Sequence, residues 1–291
     1  MNQSKMLGKK MHQYVLSGVT LLIATLISGQ SMAGFNEGKA AFMVRDFATA
    51  FKEFEPLANK GDKQSQHIMG MMYDEGQGVK QSYAQAAEWY KKAGMQGNAD
   101  SQYNLGVMYA QGQGVEVNDV ESAKWFSKAA NQGHILSQFA LGRLYTVGRG
   151  VKADAKQASD WYRKAAEQHH YKAQLALGKN YLDANGVKKD LKLAESWIRK
   201  SAVQGHHKAQ YELGLLYRDG IEVAQDAKAA YMWLDLAAKQ QHQGAQQARD
   251  ALAKTMKAED IAAAKLAVSN WQPTLPLDIQ PASNPSSLNK K

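Results

Sequence analysis

His134, His170, His206 and His242 stand 36 residues apart, and His169-His170 and His206-His207 are adjacent pairs. A neutral imidazole is a common metal ligand and a base near neutral pH, so a regular histidine column invites both readings. Spacing argues against metal. Equivalent positions in stacked repeats are separated by on the order of 10 Å, since packed helices already lie about 8–10 Å apart. Zinc needs its nitrogens about 2.0–2.1 Å away. In earlier copies the same column holds Asp62 and Asn98, residue types that begin helices. The column therefore reads as polar helix starts, with a pH-sensitive role as the alternative, and no metal ligand is assigned.

Other chemistry fails on local context. The Gly-x-Gly-Val segments, such as Gly112-Gln113-Gly114-Val115, lack the Gly-Lys-Ser/Thr ending of a phosphate loop. Five tryptophans could form a sugar platform, but their alanine-rich helical setting reads as core. Asp74-Glu75 lies at a helix end, without the apolar setting that would split two carboxylate pKa values. No Ser-His-Asp grouping can be assembled. The chain has no cysteine, so neither a disulfide framework nor a lipid-bearing cysteine is possible. No catalytic residue, cofactor or metal is expected.

The elements that must position these residues are repeats. Trp89, Trp125, Trp161, Trp197 and Trp233 recur every 36 residues without slippage. Leu105-Gly106, Leu141-Gly142, Leu177-Gly178 and Leu213-Gly214 keep the same register, as do Tyr73, Tyr109, Tyr145, Tyr181 and Tyr217. So do Gln66, Gln102, Gln138, Gln174 and Gln210. Such self-similarity marks a stacked array. Within one unit, Gln102, Leu105, Gly106 and Tyr109 share a helical stripe at i, i+3, i+4 and i+7. Glycines then turn the chain. Asn118 and its equivalents Ser82, Asp154, Asp190 and Asp226 start a second helix, and Gln85, Glu121 and Gln157 suggest capping boxes. A glycine inside a helix costs about 1 kcal/mol relative to alanine. Its recurrence at Gly106 and its copies implies a close helix contact, with the tryptophan as the expected neighbour. Turns reading Ala184-Asn185-Gly186 and Gly220-Ile221-Glu222 depart from the pattern and are expected to differ in shape.

The ends bound the array. Residues 1–33 combine basic Lys5, Lys9 and Lys10, an apolar run from Val15 to Ile27, and Ser31-Met32-Ala33. These are the three parts of a secretory signal. Residues 34–61 read as a degenerate capping repeat, 62–241 as five repeats, 242–272 as closing helices and 273–291 as a disordered tail. Net charge is +9, and loss of the three leader lysines leaves +6. The excess is dispersed, which suits acidic partners rather than nucleic acid. A periplasmic or secreted monomer without membrane insertion after signal cleavage is expected.

With its columns assembled, the chain resembles the Sel1-like repeat family, a relative of the tetratricopeptide repeats. The motif is A-x-x-x-L-G-x-x-Y, G-x-G-V, a polar cap, then A-x-x-W-x-x-x-A-A. Here it runs through Gln102, Leu105-Gly106, Tyr109, Gly112-Gln113-Gly114-Val115, Ser122, Trp125 and Ala129-Ala130. The resemblance implies an all-α, right-handed solenoid of helix-turn-helix repeats whose first helices line a concave groove. It also implies an adaptor role in envelope regulation, immunity to an effector or host interaction. The family has no shared catalytic motif. A cysteine-rich branch is linked to β-lactams, so a cell-wall or β-lactam-related hydrolase is the alternative, though this chain lacks those cysteines.

Positions that vary between copies mark a candidate partner surface. Met71, Val107, Arg143, Lys179 and Leu215 occupy one column of the first helices. Tyr103, Phe139 and Tyr211 occupy another, with His67 and Leu175. Large apolar and aromatic residues on an outward face read as a protein or peptide site. Arg143 and Lys179 add affinity for acidic segments. For the column of Tyr103, a place flanking the core is an equal alternative.

Overall fold

The computed structural model describes residues 33–274. The leader read at 1–33 lies outside the described residues apart from Ala33, as does the tail beyond Thr274. Among the described residues there are fourteen helices and no strand. Helix α1 spans residues 33–43 and α2 spans Phe47–Asn59. First and second helices then alternate: α3 Lys63–Glu75, α4 Tyr83–Met95, α5 Ala99–Gln111, α6 Asp119–Asn131, α7 Ile135–Val147 and α8 Ala155–Glu167. They continue with α9 Tyr171–Asp183, α10 Leu191–Val203, α11 His207–Asp219, α12 Ala227–Lys239, α13 Gln243–Ala253 and α14 Ala258–Asn270. None is long and apolar enough to cross a membrane. The chain forms two compact units, one ending at Val117 and one beginning at Asn118.

The first unit contains α1–α5. Its start is aromatic: Phe35 meets Phe54 edge-on at 5.5 Å, and Phe51 meets Tyr73 at 5.9 Å. Phe54, Met69 and Met72 are fully buried beside Trp89. The second unit contains α6–α14. Its core includes Leu141, Leu177, Ile198, Leu213 and Leu234, supplied by both helices of each pair. Val268 of α14 packs into the cluster of Trp233 and Leu236, and Trp271 meets Trp233 edge-on at 6.2 Å. The Thr274 N–H donates to the Val203 carbonyl at 2.8 Å.

The glycine column is a packing column, but its neighbour is not tryptophan. A Cβ on Gly142 would lie 2.7 Å from ring carbons of Tyr162 and 3.3 Å from the Ala158 carbonyl oxygen. Gly70, Gly178 and Gly214 press in the same way on Tyr90, Ile198 and Leu234. Each partner is the residue after the tryptophan. The small residues Ala158 and Ala194 face the glycine of their own pair rather than the next one.

Caps hold the ends of the helices. Oδ1 of Asp154 accepts from the Gln157 N–H at 2.9 Å, and Oδ1 of Asp190 from Leu193 N–H at 2.9 Å. The return half of the expected capping box does not form. The N–H groups of Ser82, Asp154, Asp190 and Asp226 donate instead to the carbonyls of Tyr73, Tyr145, Tyr181 and Tyr217 on the preceding helix. Glu121 pairs with Lys124 at 2.9 Å. The two divergent turns keep the left-handed geometry of the others. Ala184 has φ 56° where Gly148 has 70°, and Glu222 has φ 56° where Gly150 has 70°. Left-handed backbone costs an L-residue roughly 1–2 kcal/mol, so the repeat packing outweighs local preference there.

Candidate functional site

The candidate residues fall on the first helices of both units. In the first unit, Met71 on α3 and Tyr103 and Val107 on α5 are half-buried. In the second, Phe139, Tyr211 and Leu215 are half-buried, while Arg143 and Lys179 are exposed. The column of Phe139 is largely taken up by packing between helices. Phe139 lies 5.8 Å from the Tyr162 ring and 4.6 Å from the His170 ring. Leu175 is buried. Tyr211 stacks on His242 at 4.5 Å. Leu215 packs, with Tyr211, on the buried cluster of Leu234 and Ala245.

The two cations differ. Lys179 Nζ lies 2.6 Å from a Glu212 carboxylate oxygen, which links α9 to α11. Arg143 has no ion-pair partner among the described residues. It acts on the phenol of Tyr162, whose pKa burial raises while Arg143 opposes the shift. The Tyr162 hydroxyl shares a 3.0 Å hydrogen bond with Thr146. Arg143 thus presents an exposed guanidinium whose charge reaches the buried Tyr162 phenol.

The histidines are helix starts. Nδ1 of His134, His170 and His242 accepts from the N–H of Ser137, Ala173 and Ala245 at 3.2, 3.2 and 3.1 Å. His206 caps nothing with its side chain; its Nδ1 faces Ser201 Oγ at 3.1 Å. Among the described residues no three His, Cys, Asp or Glu side chains are grouped as metal ligands. Trp89, Trp125, Trp161 and Trp233 are buried. Lysines three residues on cover four rings of the column: Lys92, Lys128, Lys164 and Lys200 sit 3.8, 4.1, 3.8 and 4.0 Å from the ring centroids.

A second glutamine column was missed in the sequence. Gln96, Gln132, Gln168, Gln204 and Gln240 also keep the 36-residue interval. Nε2 of Gln168, Gln204 and Gln240 donates to Oε1 of Gln138, Gln174 and Gln210 at 2.8, 2.7 and 2.9 Å. Those three donate in turn to the carbonyls of Ala130, Ala166 and Ala202 on the preceding second helix. Its regular spacing was the available signal. Also unread were Arg163 and Arg199, which reach the hydroxyls of Tyr181 and Tyr217 in the following repeats at 3.3 and 2.8 Å.

A family model described as Sel1 repeat matches residues 63–98, 99–134, 135–170, 172–206 and 207–242. Among solved structures, a Sel1 repeat protein from Oxalobacter formigenes is similar at 30% identity and a TM-score of 0.71, over 80% of this chain and 97% of that one. A protective antigen present in uropathogenic Escherichia coli strains, displaying an SLR fold, matches at 27% identity and a TM-score of 0.44, over 84% of this chain and 77% of that one. An immunity protein from Pseudomonas aeruginosa matches at 18% identity and a TM-score of 0.41, over 72% and 81%. No curated protein sequence matches.

Proposed function

Because this chain belongs to the Sel1 repeat family, we propose that it is an exported, non-catalytic scaffold that binds an acidic protein or peptide segment on the first-helix face. The observation that carries this reading is Arg143, an exposed guanidinium without an ion-pair partner among the described residues, whose charge acts on the buried Tyr162 phenol. A planar, two-point donor on a rigid helix suits a carboxylate. Lys179 supports it less directly, because Glu212 already holds its ammonium. Tyr211 and Leu215 add half-buried apolar surface on α11.

The test begins with affinity capture from envelope extract. The captured partner is then titrated against Arg143→Glu. Loss of a charge-assisted contact is worth about 1.5–3 kcal/mol, so affinity should fall roughly ten- to hundredfold. Helical circular dichroism and Tm should not move, since an exposed charge contributes little to folding. Lys192→Glu on α10, also exposed, is the control on a second helix. Lys128 and Lys164 are poorer controls because each covers a tryptophan ring. Binding lost in the Lys192 variant and kept in the Arg143 variant would move the site to the second-helix face. Export is read from residues 1–33; amino-terminal sequencing of the mature protein should begin at Gly34.

A further inference from the structure

We propose that the starts of α9 and α11 form an acid-sensitive joint, in which protonation of His170, His206 and His207 loosens this part of the second unit. The rings are continuous. Phe139, His170, Tyr171, His206, His207, His242 and Tyr211 follow one another with centroids 4.5–5.8 Å apart. At His170 and His242 the Nδ1 lone pair accepts a backbone N–H of the first helical turn. At His170 a proton on Nδ1 takes that lone pair, so the Ala173 N–H loses this acceptor, whereas the Ala245 N–H of α13 also donates to the His242 carbonyl at 3.0 Å. The new cation also sits at the positive end of a helix dipole. Nδ1 of His207 is buried without a hydrogen bond.

The charges around the joint add to this effect. Lys172 on α9 acts on His170 and His206, Lys208 on α11 acts on His206 and His207, and His242 on α13 acts on His207. Carboxylates on the packed elements are engaged elsewhere: Glu195 with Arg199, Glu212 with Lys179 and Asp235 with Arg249. Glu167, in the last turn of α8, is exposed. Burial first, and these cations second, push His170 and His206 down to about 4. Since the ordinary value is 6.5, the opened state binds more protons between about pH 6.5 and 4. Stability in that window therefore rises with pH and is lost on acidification. His206 contributes through burial and charge alone, because its ring caps no helix.

Hydrogen exchange on the full chain at pH 7 and pH 5, corrected for intrinsic rates, tests the joint. Protection in the first turns of α9 and α11 should fall by on the order of tenfold or more as pH drops, the factor that a shift from 6.5 to about 4 produces at one histidine. The variant His170→Asn/His206→Asn/His207→Asn removes the three titrating rings, and at position 170 asparagine supplies a non-titrating cap, as Asn98 does for α5 with a 2.7 Å bond to Ser101 N–H. In the variant, protection should no longer depend on pH in this range. Equal losses in wild type and variant would overturn the proposal, as would unchanged protection in the wild type. Should the variant not fold, imidazole titration of the wild type by NMR decides instead. A midpoint for His170 well below 6.5 supports the joint, and one at or above 6.5 overturns it.

Discussion

Gly142 shows how a single residue position in the repeat is chosen. The sequence reveals that a glycine recurs inside a helix, and the cost of that choice implies a close contact. It does not reveal the neighbour. Tryptophan is the more conspicuous column, yet the ring over Gly142 belongs to Tyr162, and over Gly178 the neighbour is Ile198. The partner column changes identity from copy to copy, so it leaves no invariant letter to read. A methyl at Gly142 would stand 2.7 Å from ring carbons that the helix backbone holds in place. Gly142→Ala should therefore destabilise by about 1–3 kcal/mol despite the better helix propensity of alanine. Thermal denaturation followed by circular dichroism measures it. A Tm at or above wild type would mean that Tyr162 moves aside freely.

At the scale of the element, polar columns join successive helix pairs. Gln174 is almost wholly buried. It accepts from Gln204 at the end of α10 and donates to the Ala166 carbonyl of α8 at 3.2 Å. Gln174→Leu deletes both bonds. Neither partner is orphaned, however: Ala166 O still accepts from the His169 N–H, and Gln204 Nε2 still donates to Lys200 O. The expected loss is therefore about 1–2 kcal/mol, the net worth of two hydrogen bonds, rather than a full desolvation penalty for each. Urea denaturation would detect it, and no change in midpoint would show that the column is incidental. The Gln174 column was legible as a repeat without a stated role, because a polar letter at a fixed interval does not say what it bonds. The helix pairs themselves were fully legible, since 36-residue periodicity and cap residues are local signals. The turn at Ala184 was misjudged because local propensity disfavours its backbone, and stacking overrides that preference. The first-helix columns were the least legible. Whether Phe139 faces a partner or His170 depends on a residue 31 positions later.

At the scale of the whole molecule, an array of stacked pairs has an end that must be covered. The fifth repeat carries Leu236 where its predecessors carry the lysines over tryptophan, Lys128, Lys164 and Lys200. Trp233 accordingly faces protein instead of an ammonium group: Val268 of α14 joins its cluster, and Trp271 meets it edge-on. The substitution makes sense only if a further element always lies there. Removing residues 255–291 would expose Trp233 and Leu236 together. Burial of two large side chains is worth about 1.5–3 kcal/mol each, so the truncated chain should lose several kcal/mol. It should unfold first at its C-terminal repeats, because each pair is supported by its neighbours. The exposed patch should also drive self-association. Light scattering and hydrogen exchange would separate the two effects. Adding Leu236→Lys to the truncated chain should restore a lysine over the tryptophan ring and reduce association without restoring all the lost stability. If the truncated protein stays as stable and as soluble as the full chain, α14 is not a closing element. The Leu236 exception would then need another cause.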